Sequence, residues 1–332
     1  MHLYQPVNNS RIKGYSLVEF MIAITISMII MLAVAVAWQS GFKTQQSQTD
    51  VSRLNETIRF AIDLLSREIK QAGYTNTTTS LMNELSFCST TTVGSSIVGV
   101  NDPANINPAG PVPAGPTGHL PAGSTIVMNQ SDAIRVRYYG EDTIAGTFAP
   151  TPSTNTSQDC LGNPIALGTL IEDTMYVAAD PNNKNEPTLW CHTSNPNAGV
   201  NSTLPMVAGV ESLQILYGED ISSPLDGIID RYVPWQLVTN PDNILSVKVS
   251  IVARSPNPVA LDTTAKTFYH FGGATAGVAG SVGSIMPYTD PTGGSSPGTI
   301  FVAPTIPNDA KMRLRLPPMS AEIAVRNFSF CQ

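Results

Sequence analysis

The chain is short of charge. Charged residues make up 13% of its 332 positions, about half the roughly 25% of an average globular domain. Eighteen Lys and Arg stand against 25 Asp and Glu, for a formal net charge of −7. A chain built to grip phosphates carries a basic excess, so dedicated nucleic-acid binding is disfavoured. The cysteines, Cys88, Cys160, Cys191 and Cys331, show no CxxC spacing and no histidine at finger spacing, which argues against a zinc module. His2, His119, His192 and His270 form no HExxH, and no Gly-Lys pair of Walker form occurs. Residues 294–298 satisfy the GxSxG pattern by letter. They lie in a Gly/Ser/Pro tract without the strand that a nucleophile elbow requires. No catalytic residue and no cofactor is expected.

What is present is apolar and long. Hydrophobic residues supply 42% of the chain, enough to separate it from acidic disordered sequences. From Phe20 to Trp38 there is no charge, glycine or proline. As a helix rising about 1.5 Å per residue, this run spans about 28 Å, close to the thickness of a bilayer's hydrocarbon core. It reads as one transmembrane helix. An ordinary secretory signal would have a shorter apolar run and an A-x-A-like cleavage site after it, and neither is found. Arg11 and Lys13 precede the run and the next basic residue is Lys43, so the positive-inside rule leaves the N-terminus in the cytoplasm and the body outside. Glu19 stands near the start of the apolar run, where a carboxylate either snorkels to the interface or serves a function.

The order Lys13-Gly14-Tyr15-Ser16-Leu17-Val18-Glu19, followed by an unbroken apolar helix, resembles the class III signal of type IV prepilins and type II secretion pseudopilins. The resemblance implies cleavage between Gly14 and Tyr15 by a membrane-embedded prepilin peptidase, and N-methylation of Tyr15. It implies that the apolar helix stays on the mature chain. Glu19 would then neutralise the terminal ammonium of a neighbouring subunit in the filament core, and a wrong axial register would leave a charge buried without a partner. Major pilins commonly carry proline within this helix. None occurs here from Tyr15 to Asp102, which fits a minor subunit better.

Past Ser40 and Gly41 the pattern becomes amphipathic. Val51, Leu54, Ile58, Ile62, Leu65, Ile69 and Ala72 recur at steps of three or four, one apolar stripe. Asp63 with Arg67 and Glu56 with Arg59 are spaced for helical ion pairs, and Gly73 fits a helix stop. The stripe is expected to pack on the body that follows. The stretch Arg53 to Tyr74 resembles the PilW family of minor pilins. So do Asp159-Cys160-Leu161-Gly162, Leu189-Trp190-Cys191, Gly209 to Leu213, Asp230 to Val233 and Ala324 to Asn327.

Residues 75–131 carry only Glu84 and Asp102 as charges, with six prolines between Pro103 and Pro121, and read as a long loop with short strands. Strand alternation is clearest over 245–254, with Ile134 to Tyr139 next. The segments 174–179, 188–192, 210–217 and 321–328 are further strand candidates. The fold class expected is α+β and, by the resemblance, pilin-like: a long N-terminal helix packed on an antiparallel sheet head. The organisation is a leader at 1–14, a transmembrane helix at 15–40, an amphipathic periplasmic helix at 41–73 and a β-rich head at 74–332. Asp220, Asp226 and Asp230, with Glu219 and Gly227, could offer oxygen to calcium, but the EF-hand order is absent, and a solvated acidic turn between strands is preferred. Four exported cysteines allow three connectivities. Cys160 with Cys191, which flank the 174–179 strand, leaves Cys88 with Cys331.

The function expected is that of a minor pilin helping to initiate or cap a type IV pilus, without a reaction of its own. A type II secretion pseudopilin is the first alternative, and a pilus-tip adhesin or DNA-uptake component the second. Expected partners are the prepilin peptidase, other pilins through the N-terminal helix, and the inner membrane, with no nucleic acid. The expected location is a single-pass inner-membrane precursor, head in the periplasm, and then the pilus.

Overall fold

The computed structural model describes residues 14, 16–75, 87, 94–100, 131–140, 157–166, 168–195, 200–258, 267–271, 300–302 and 313–325. Two compact units divide the chain, residues 1–49 and residues 50–332. One helix, α1, is continuous over Leu17–Gln71, without a break at Ser40 and Gly41. In the first unit its apolar side chains are exposed all round. Relative exposures run from 50% at Ile24 to 76% at Met31, where an amphipathic helix would hide one stripe. Thr25, with Ser27 one of two hydroxyl residues in the run, donates its hydroxyl to the Ile22 carbonyl at 2.8 Å, which satisfies it without water.

In the second unit α1 behaves oppositely. Leu54, Ile58, Ala61, Leu64, Leu65, Ile69 and Ala72 are buried in the main core, each large aliphatic contributing about 1.5–3 kcal/mol. Gly73 ends the helix with φ +72°, a left-handed conformation that glycine adopts without penalty. Its N–H donates to the Arg137 carbonyl at 2.9 Å, and the Tyr139 N–H donates to the Tyr74 carbonyl at 2.9 Å.

Among the described residues, the strands are all antiparallel and form two large sheets and a small one. The first sheet runs in chain order through β1 (Ile97–Val100), β2 (Ala133–Tyr139), β3 (Leu170–Asp180), β4 (Glu186–Asn195) and β5 (Val200–Ala208). The second places β8 (Ile244–Pro258) beside β6 (Val210–Glu219), which also pairs β7 (Arg231–Val233). The other edge of β8 carries β11 (Arg313–Arg315) and then β12 (Met319–Ala324). Pro317 and Pro318, lacking N–H donors, fall between them. A two-stranded ladder joins β9 (Thr267–Tyr269) and β10 (Ile300–Val302). Helix residues, Val136, Tyr138, Met175, Val177 and Leu189 of the first sheet, and Leu213, Ile215, Val247, Val249 and Ile251 of the second belong to one core.

The α+β class and the helix-on-sheet core agree with expectation, but the single sheet does not. Two sheets share the core because β2, β3 and β6 are buried along almost their whole length, more than one face of a half-solvated sheet requires. The edge strand β5, with Pro205 and no clean alternation, and the short strands β1, β7, β9, β10 and β11 were not signalled by periodicity. The last candidate ends as a strand at Ala324, and residues 326–328 lie outside the described ones. So do Cys88, Cys331 and the GxSxG tract.

Candidate functional site

The site is built at the first turn of α1. The Phe20 N–H donates to the Ser16 carbonyl at 3.1 Å, and the Ser16 N–H donates to Glu19 Oε2 at 3.2 Å. Ser16-Leu17-Val18-Glu19 is thus one half of a capping box, in which the acid three residues in satisfies the N-cap amide. Glu19 is exposed, and its carboxylate also complements the positive end of the helix dipole.

Gly14 is exposed, and a Cβ added to it would meet nothing within 4 Å. Among the described residues, none therefore demands a glycine at this position. Gly99, where a Cβ would fall 2.2 Å from the Tyr217 hydroxyl, and Gly140, 2.2 Å from the Ala166 carbonyl oxygen, are glycines required by packing. Arg11, Lys13 and Tyr15 lie outside the described residues. From Leu17 to Gln39 the helix is long and apolar enough to cross a membrane, and none of it is buried.

The other sequence candidates are placed as follows. Cys160 and Cys191 form a disulfide with Cα atoms 6.4 Å apart, tying the turn before β3 to β4. Asp220 accepts the Asp226 N–H at 3.1 Å, the Gly227 N–H at 2.8 Å and the Ser222 hydroxyl at 2.7 Å. The Ser222 hydroxyl and these backbone amides hold its carboxyl below the usual range. Asp226 accepts the Ile228 N–H and Asp230 the Ile221 N–H. The three acids are thereby used to fold the β6–β7 turn. Glu219, grouped with that solvated turn, is instead fully buried. It accepts the Thr239 and Asn240 N–H groups at 2.7 and 2.9 Å and pairs with Arg231.

Charge buried inside the head is what sequence reasoning missed. Arg135 and Arg137, which alternate with Ile134, Val136 and Tyr138 along β2, are both buried. Arg137 pairs with Glu172 and donates to the Ser95 carbonyl at 3.0 Å. Glu186 at the start of β4 accepts Arg254 and Arg313, while Glu211 accepts Arg315 and lies 3.8 Å from Arg254. This network clamps β4 of the first sheet to β6, β8 and β11 of the second. His270 sits between the Ser212 and Ser250 hydroxyls at 3.1 and 2.9 Å. Burial pushes its imidazole down to about 3. On α1, the Arg67 guanidinium goes to buried Glu68 rather than toward Asp63.

Two family models match the chain: the prokaryotic N-terminal methylation motif over residues 9–35, and Type IV Pilus-assembly protein W over residues 174–292. No curated protein matches it. A type IV-like pilin from Thermus thermophilus is similar in structure with a TM-score of 0.36 at 16% identity, over 83% of this chain and 98% of that one.

At the N-terminus the chain is similar to prepilins, with a methylation motif that opens directly into an exposed, uninterrupted apolar helix. Within the head, residues 174–292 are similar to the PilW family, a segment that runs from inside β3 through β9.

Proposed function

We propose that this chain is a minor pilin of a type IV pilus, cut between Gly14 and Tyr15, methylated on Tyr15, and incorporated where the filament is initiated or capped. The observation that carries the reading is the pairing, in one chain, of a methylation motif with a PilW head. The open surroundings of Gly14 support it, because a glycine that its own fold does not need suits a peptidase that must approach the backbone closely. Residues 1–14 serve as leader, 15–40 as membrane anchor, and 41–73 as the helix that carries the periplasmic head. The role is assembly through the N-terminal helix, not catalysis.

In the precursor Glu19 is engaged by its own Ser16 N–H. Cleavage places an ammonium one residue upstream, and assembly transfers the Glu19 carboxylate to the ammonium of a neighbour. The test is deletion of the gene followed by shearing of surface filaments. The minor-pilin reading expects few or no pili, with the major subunit left in the membrane. Normal pili with loss of protein secretion would transfer the chain to the type II secretion alternative.

A further inference from the structure

Glu68, one turn before the end of α1, and Asp173, on β3, are both fully buried. Glu68 Oε1 accepts two bonds from Arg67, at 3.1 and 3.0 Å. Asp173 Oδ2 accepts the Tyr138 hydroxyl at 2.6 Å and the Cys160 N–H at 2.9 Å. Each carboxyl keeps one buried oxygen without a partner, Glu68 Oε2 and Asp173 Oδ1, and the two groups lie within hydrogen-bonding range of each other.

Two ionised carboxylates so placed would repel, and, although the Thr193 hydroxyl also serves the Asp173 carboxyl, Glu68 Oε2 would lack a donor. A single proton removes both faults, since a carboxyl O–H on one group donates to the carboxylate of the other. We propose that Glu68 and Asp173 share one proton and act as a pH-responsive latch, seating the last turns of α1 on β3 in acidic and neutral medium and releasing them in alkaline medium.

The surrounding charges point the same way. Among the described residues, Arg67 on α1 is the cation acting on Glu68, while Tyr138 on β2 and Asp159 in the turn before β3 add no positive charge. The Asp173 carboxylate also lies within 4.8 Å of both sulfurs of the Cys160–Cys191 disulfide, so the latch sits where helix, β3 and β4 are cross-linked. Burial, then the Asp173 charge, pushes Glu68 up to about 8. The unfolded chain releases this proton near the ordinary value of 4.5, whereas the folded head keeps it. The stability the pair supplies is therefore complete below that pH and is lost as pH rises toward 8, tenfold in the folding constant per pH unit.

The experiment uses the full chain in detergent micelles, with infrared titration of the protonated-carboxyl C=O stretch and thermal unfolding from pH 5 to 9. The latch expects a band that persists at pH 7, disappears near pH 8, and is missing from Glu68→Gln and Asp173→Asn. It also expects unfolding of the wild type to respond to pH more steeply than that of Glu68→Gln. A wild-type band that is gone by pH 6, or wild type and Glu68→Gln weakening in parallel, overturns it. If neither variant folds, the wild-type band decides alone.

Discussion

The two compact units invert each other's use of residue type. Residues 17–39 turn Leu, Ile, Met and Val outward on every side, whereas the head puts Arg137, Arg254, Glu68, Glu186, Glu211 and Glu219 inside. An apolar exterior is stable only where the surroundings are apolar, in lipid or against other such helices. Buried charges are tolerated only when each meets an opposite charge and its hydrogen bonds are filled. The low charge count of the chain thus conceals an uneven placement. The anchor has Glu19 alone, and much of the head's charge ties its strands together in buried pairs, with Glu186 linking the two sheets, instead of solvating it.

Arginine in place of Ile29 and Ile30 would break the comparison most forcefully. At the centre of a membrane span each costs about 2.5–3.5 kcal/mol, so the double variant should leave the membrane fraction on alkaline washing while the wild type stays. Next, Glu211→Gln takes away the carboxylate that pairs with Arg315, while Arg254 keeps Glu186, and should cost the head about 3–5 kcal/mol in denaturant unfolding. Glu322→Gln, which loses a half-exposed partner of Lys248, should cost under about 1 kcal/mol. Equal losses from these two would sink the claim that the head depends on its interior charge.

How far the sequence revealed this contrast follows from the range of each signal. The anchor, the stripe from Leu54 to Ala72 and the Gly73 stop are local patterns and were legible. Strands β2, β3, β4, β6 and β8 were legible from alternation or β-branched runs. The internal ion pairs were not, because Arg137 meets Glu172 and Arg315 meets Glu211 only after distant strands are aligned. Glu68 did leave a trace: it falls on the helical spacing between Leu65 and Ala72, both buried, so a carboxyl stood on the core stripe. Gly14 and Glu19 were recognisable from motif order, although the capping bond from Ser16 needed the structure.

Smaller effects sharpen the head's side of the comparison. Replacing Cys160 and Cys191 together by serine opens a link across a sequence separation of 31 and should lower stability by about 2–4 kcal/mol, measured by unfolding under nonreducing conditions. His270 tests the acid side. Burial depresses its imidazole from 6.5 to about 3, so the stability it supports is present above pH 6.5 and is lost as pH falls, by about 1.4 kcal/mol per pH unit. His270→Asn should flatten that acid limb, and an unchanged limb would assign it to other groups.

The central claim is that this anchor is kept and processed as a pilin's is. Intact-mass and N-terminal sequencing of the chain recovered from sheared surface filaments tests it most directly. The account predicts a mature protein that begins at N-methylated Tyr15 with the Phe20 to Trp38 helix still attached. A chain absent from the filaments, or one that retains residues 1–14 or has lost its apolar helix, would contradict it.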